Sequence, residues 1–187
     1  MRAFILPALT VLLAASPAAA QDWIEYSNPT FGFSINFPGE PKSERVEYKN
    51  FYGKTVPARV FSAERGNGRY VMTVVNFGGE PTDSLTAVSH AADAIRAEGN
   101  VTYYAFHQLD GIPGQVVSVT QADGRLVQAG IYFLDQRLYI AEGSVAAGSP
   151  APSHFQQSLI ITDGEGEKID LSDNYRPARA PAAAPAP

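Results

Sequence analysis

Thr30-Phe31-Gly32-Phe33-Ser34-Ile35-Asn36-Phe37-Pro38 is the stretch from which the fold can be read. Phe31, Phe33, Ile35 and Phe37 alternate with Gly32, Ser34 and Asn36, so an extended backbone gathers the large side chains on one face and leaves small or polar ones on the other. A period of two is that of a strand with one buried face. Pro38 ends it, because proline has no N–H for a ladder. The flanking segments are therefore expected to supply its neighbours. Before it, residues 22–28 carry the sole tryptophan, Trp23, expected to pack beneath the strand, and Asn28-Pro29 turns the chain into it. After Pro38-Gly39-Glu40-Pro41, residues 42–48 are extended but interleaved with Glu44, Arg45 and Glu47. That is the composition of an edge strand, whose charges discourage pairing with another chain.

Residues 55–64 and 69–77 read as a hairpin closed by Arg65-Gly66-Asn67-Gly68, where glycine and asparagine tolerate positive φ. The second strand has Tyr70, Met72 and Val74 on one face and Val71, Val75 and Phe77 on the other, so it belongs in the middle of a sheet covered twice. Asp83 is the expected N-cap of a helix with Leu85, Val88, Ala92 and Ile95 on its apolar stripe, closing at Gly99-Asn100. Residues 101–109 again offer two apolar faces, Val101, Tyr103 and Ala105 against Tyr104 and Phe106. Asp110-Gly111-Ile112-Pro113-Gly114, Asp123-Gly124 and Asp135-Gln136 are short turns between further strands, and short turns imply antiparallel neighbours. Ser149-Pro150 opens a second helix with Phe155 and Leu159 turned inward, and Ile160-Ile161 ends in a short strand. Strands apolar on both sides need a layer over each. The expected class is therefore α+β: an antiparallel β-sheet with helices packed on both faces, an α/β/α sandwich.

The ends have a different character. Met1-Arg2 precedes an apolar run from Ala3 to Ala15, and Pro17 precedes Ala18-Ala19-Ala20, a small-residue cleavage site. The run is shorter than the roughly 20 residues that a membrane-spanning helix needs. Residues 1–20 are thus expected to be a signal peptide cleaved after Ala20, giving a periplasmic or secreted protein with no stable membrane insertion. No cysteine follows for lipidation. A single domain is expected over residues 21–162. Residues 163–187, acidic at Asp163-Gly164-Glu165-Gly166-Glu167 and then almost wholly Pro and Ala from Pro177, read as a disordered tail.

Composition excludes several classes. The 187 residues hold 14 Lys+Arg against 19 Asp+Glu and no cysteine. No nucleic-acid partner is expected of an acidic chain without basic clusters, and no disulfide, thiolate metal site or cysteine nucleophile can form. His90, His107 and His154 lack metal-ligand spacing. Glu142-Gly143-Ser144-Val145-Ala146 lacks the glycines of a nucleophile elbow, and neither a dinucleotide fingerprint nor a P-loop occurs. Asp163, Glu165, Glu167 and Asp170 miss the calcium-loop register and read as a solvated linker. No catalytic, cofactor or metal residue is assigned. Phe51 and Tyr52, adjacent aromatics on a loop, are the candidate contacts for a partner.

Four segments together, Phe31 to Pro38, Leu109 to Gly114, Arg137 to Ile140 and His154 to Leu159, resemble the PsbP-like superfamily, which also includes LpqN-type lipoproteins and a Ran-binding nuclear import factor. The resemblance spans about Trp23 to Ile161 and implies an antiparallel sheet with helices on both faces. It also implies a non-enzymatic adaptor or accessory role, without assigning a site. The lipidating cysteine of the LpqN group is missing. The expected function is an exported, non-enzymatic accessory module acting through a protein partner in the cell envelope. The alternatives are a carrier of a small apolar ligand or lipid in a helix–sheet groove, and a cofactorless hydrolase, which would need a histidine and a carboxylate to meet in a cleft.

Overall fold

The computed structural model describes residues 23–172. The Phe-rich stretch becomes β2 (Phe33–Phe37), paired antiparallel with β1 (Ile24–Asn28) on one side and with β10 (Ile160–Ile161) on the other. This small sheet lies apart from a seven-stranded one built of β3 (Lys42–Lys49), β4 (Thr55–Arg65), β5 (Gly68–Asn76), β6 (Asn100–Leu109), β7 (Ile112–Thr120), β8 (Leu126–Leu134) and β9 (Arg137–Val145). Its order is β3-β4-β5-β9-β8-β7-β6, with every pair antiparallel. Tight turns dictate most of that order. Gly66 (φ 55°), Asp110-Gly111 (50° and 80°) and Asp135-Gln136 (47° and 62°) take the left-handed conformation that a two-residue hairpin requires. The exception is the passage from β5 to β6. There α1 (Ser84–Arg96) carries the chain across to the far edge, and the meander β6 to β9 returns to seal against β5.

α1 starts where Asp83 accepts a hydrogen bond from the Thr86 backbone N–H at 2.9 Å. Its buried face is Ala87, Val88, Ala91, Ala92 and Ile95, and the three alanines let the helix settle closely on β7 and β8. There it covers Val117, Val119, Val127, Ala129, Ile131 and Leu138. Leu85, expected on this stripe, is 61% exposed. The helix also ends earlier than expected, capped at Ala97 rather than at Gly99-Asn100.

The opposite face of the sheet offers Phe61, Tyr70, Met72, Tyr132 and Tyr139. The expectation of helices on both faces is corrected here. Among the described residues the only helix on this side is the five-residue α2 (Ser153–Gln157), and most of the cover is the small sheet, with Phe33, Ile35 and Phe37 of β2 fully buried beside Phe155, Leu159 and Ile161. The reason is the period of β2. A stretch alternating at two presents a flat apolar face, and a flat face is buried best against another sheet. The fold remains α+β and predominantly antiparallel.

A second difference follows Thr162. Residues 163–172, expected as the start of a disordered tail, fold back on the domain. The Ile169 N–H donates to the Ile161 carbonyl at 2.9 Å and the Leu171 N–H to that of Asp110 at 2.7 Å, while both side chains pack against the second core. Two aliphatic residues among many acids were enough to anchor the segment. The expected signal peptide and the Pro/Ala-rich residues 177–187 lie outside the described residues. Among the described residues no helix is long and apolar enough to cross a membrane.

Candidate functional site

The two edges of the large sheet differ in kind. β3 is exposed and charged, with Lys42, Glu44, Arg45, Glu47 and Lys49, as its sequence led one to expect. β6 has no charged side chain, yet it is the other edge, with Val101, Tyr103, Tyr104 and Phe106 exposed and Phe106 75% so. Its two apolar faces resembled those of β5, but position in the sheet separates them. β5 lies between β4 and β9, whereas β6 ends the sheet among the described residues. On the α1 side, Phe106 borders a hollow of about 90 Å³ with Leu85, Val88 and Pro113, and the Arg96 guanidinium lies 4.7 Å from the Tyr104 ring centre.

On the other side of β6, a cleft of about 510 Å³ opens between the strand and α2. Tyr103, His107 and Leu109 of β6 form one wall, and Gln156 and Gln157 of α2 the other. The Tyr132 hydroxyl and His107 Nδ1 share a hydrogen bond of 2.9 Å at its floor. Burial pushes the Tyr132 hydroxyl up to about 12, so it stays protonated through the physiological range. The side-chain oxygens of Gln128 and Gln156 are buried without a hydrogen-bond partner among the described residues. Among the described residues, the lining includes no carboxylate. This cleft can hold a small, largely neutral body.

Phe51 and Tyr52 sit at the opposite edge, on the loop joining β3 to β4, 62% and 57% exposed. The loop is pinned from beneath. Asn50 is only 4% exposed, and its side-chain oxygen accepts the N–H groups of Tyr52 at 3.0 Å and Lys54 at 2.9 Å. The Gly53 N–H closes back on the Asn50 carbonyl at 2.9 Å, and Gly53 itself takes φ 75°. His90 of α1 reaches the Lys49 carbonyl at 3.1 Å and lies edge-on to Phe51. A buried Asx turn thus presents the two rings. Asn50 could have been read as a turn residue; that it is buried could not.

The three histidines do not converge. His90 serves the Phe51 loop, His107 the cleft, and His154 stacks edge-on against Trp23 at 5.3 Å between ring centres. Trp23 in turn packs on Tyr70. Among the described residues no group of three His, Asp or Glu side chains is placed to hold a metal.

No protein-family model matches the chain. No curated protein matches it either. Among solved structures it is similar to the solution structure of cyanobacterial PsbP (CyanoP) from Synechocystis sp. PCC 6803, with 13% sequence identity, 80% of this chain and 98% of that one covered, and a TM-score of 0.45.

Proposed function

We propose that this protein is an exported binding module that acts by contact with a protein partner in the cell envelope, not by catalysing a reaction. The reading is carried by the Phe51–Tyr52 loop. Two aromatic rings held in water on a backbone pinned by a buried asparagine are costly to maintain unless something covers them. Because the loop is already ordered, a partner would lose little further entropy in binding it, which is how a small aromatic patch supplies useful affinity.

A photoreactive residue at position 51, activated in intact cells, should yield one defined protein adduct. Phe51→Ala combined with Tyr52→Ala should weaken the captured complex by roughly 30-fold, the loss of a hot spot worth about 2 kcal/mol. No defined adduct, or a complex indifferent to both changes, would sink the reading.

The cleft beside His107 supports a second reading, a carrier for a small apolar molecule. Its volume falls within the range of about 300–1,000 Å³ common to small-molecule sites. A ligand released from the native protein and seen by mass spectrometry, displaced in a Tyr103→Ala variant, would favour it. The hydrolase reading has the weakest support, since each of the three histidines contacts a carbonyl, a tyrosine or a tryptophan.

A further inference from the structure

We propose that β6 is the joining surface for a second copy of this chain, edge to edge and antiparallel, about a twofold axis passing at Ala105. This goes beyond the contact reading above and uses the opposite edge of the sheet, so either can fail without the other.

Charge comes first. From Asn100 to Thr120 the β6–β7 hairpin has one charged side chain, Asp110, and Lys168 engages it at 2.6 Å. Arg96, stacked on Tyr104, is ion-paired with Asp93 at 2.8 Å. Two copies of this edge therefore meet without like charges facing one another.

The backbone then sets the register. Asp110 and Gly111 both take positive φ, as in a two-residue hairpin turn, which makes Leu109 and Ile112 its first hydrogen-bonded pair. Counting back by twos, Leu109, His107 and Ala105 direct their N–H and C=O groups to β7, while Gln108, Phe106 and Tyr104 aim theirs outward. Outward residues must meet outward residues. With the axis at Ala105, Tyr104 faces Phe106 of the second copy on the α1 side, and Tyr103 faces His107 of the second copy on the cleft side. The strands then overlap from Val101 to Leu109.

A second copy is a better occupant than an unrelated strand for two reasons. It brings the same charge-free face, and the charged β3 discourages the open-ended pairing of β6 with β3, so the contact closes as a dimer. Covering the exposed Leu85, Val101, Tyr103, Tyr104 and Phe106 would remove on the order of 500 Å² per copy, about 1,000 Å² in all, the lower limit for a biological interface.

The chain has no cysteine, so Ala105→Cys is a unique reporter. Partners that do not exchange hydrogen bonds in an antiparallel pair stand about 4.5 Å apart at Cα, within disulfide reach. The exported protein is expected to sediment as a dimer, and Ala105→Cys to oxidise to a covalent dimer while Ser43→Cys on β3 stays monomeric. Tyr104→Lys with Phe106→Lys should lose the dimer at concentrations where the parent keeps it, with an unchanged circular dichroism spectrum. A parent chain that sediments as a monomer overturns the proposal, as does a dimer that survives the double lysine change. A monomer whose Phe106 amide exchanges slowly until residues 173–187 are deleted would also overturn it, giving the edge to the chain's own C-terminal segment.

Discussion

Glu142 shows how a single side chain can set the pH response of the fold. It alternates along β9 with Ile140 and Leu138, which face the α1 layer, so its carboxylate is drawn in under that layer. Burial raises its pKa above the ordinary 4.5, the nearby Glu98 charge adds to the rise, and Arg69 offsets part of it. A folded-state pKa above the unfolded one means that the native form holds its proton longer. Stability is then fullest below the ordinary carboxylate pKa and declines as pH rises through the folded value. Glu142→Gln is expected to be more stable than the parent at neutral pH and to show a flatter profile. Urea midpoints of the two proteins between acid and neutral pH would check this; parallel profiles would refute it. Nothing in the residue order flagged this glutamate, since Ala141-Glu142-Gly143 reads as an ordinary strand end and burial comes from what lies above it.

At the scale of elements, the turns were the most legible part. Asp135-Gln136 links β8 to β9 with both residues in the left-handed region. That conformation costs an L-residue about 1–2 kcal/mol, and asparagine or aspartate bears it better than glutamine. Gln136→Gly should therefore stabilise the protein by about 1 kcal/mol, read as a higher denaturant midpoint with unchanged m, because the Gln136 contact made to Phe77 is through its backbone carbonyl at 3.0 Å and survives the change. An unchanged or lower midpoint would contradict this. The strands themselves were legible too, β3 as an edge and β5 as a central strand among them. β6 was not. Alternation reports which side chains could be buried, and Tyr103, Tyr104 and Phe106 qualify as well as Met72 or Val74 do. Whether they are buried depends on whether another strand and another layer arrive.

At the scale of the molecule, one sheet separates two cores, α1 over one and the small sheet with α2 over the other. Phe155 is fully buried in the second, against Phe37 and Tyr70. Phe155→Ala is expected to cost about 3–5 kcal/mol. Because the sheet is shared, the loss should move the whole unfolding transition. Fluorescence of Trp23, on the second face, and far-ultraviolet circular dichroism should keep coincident midpoints. Separated midpoints would show that the layers unfold independently.

By itself the sequence determined the strands, the hairpins joining them and their antiparallel sense, because a two-residue period and a tight turn are properties of neighbouring residues. It also singled out Phe51 and Tyr52 as exposed aromatics on a loop. Only the tertiary structure decided that β2 stands outside the large sheet and roofs it, that Ile169 and Leu171 extend the domain past Thr162, and that, among the described residues, the aromatic β6 is the last strand of the large sheet. Those outcomes depend on pairings between residues far apart in the chain, and the local pattern is the same whichever partner wins.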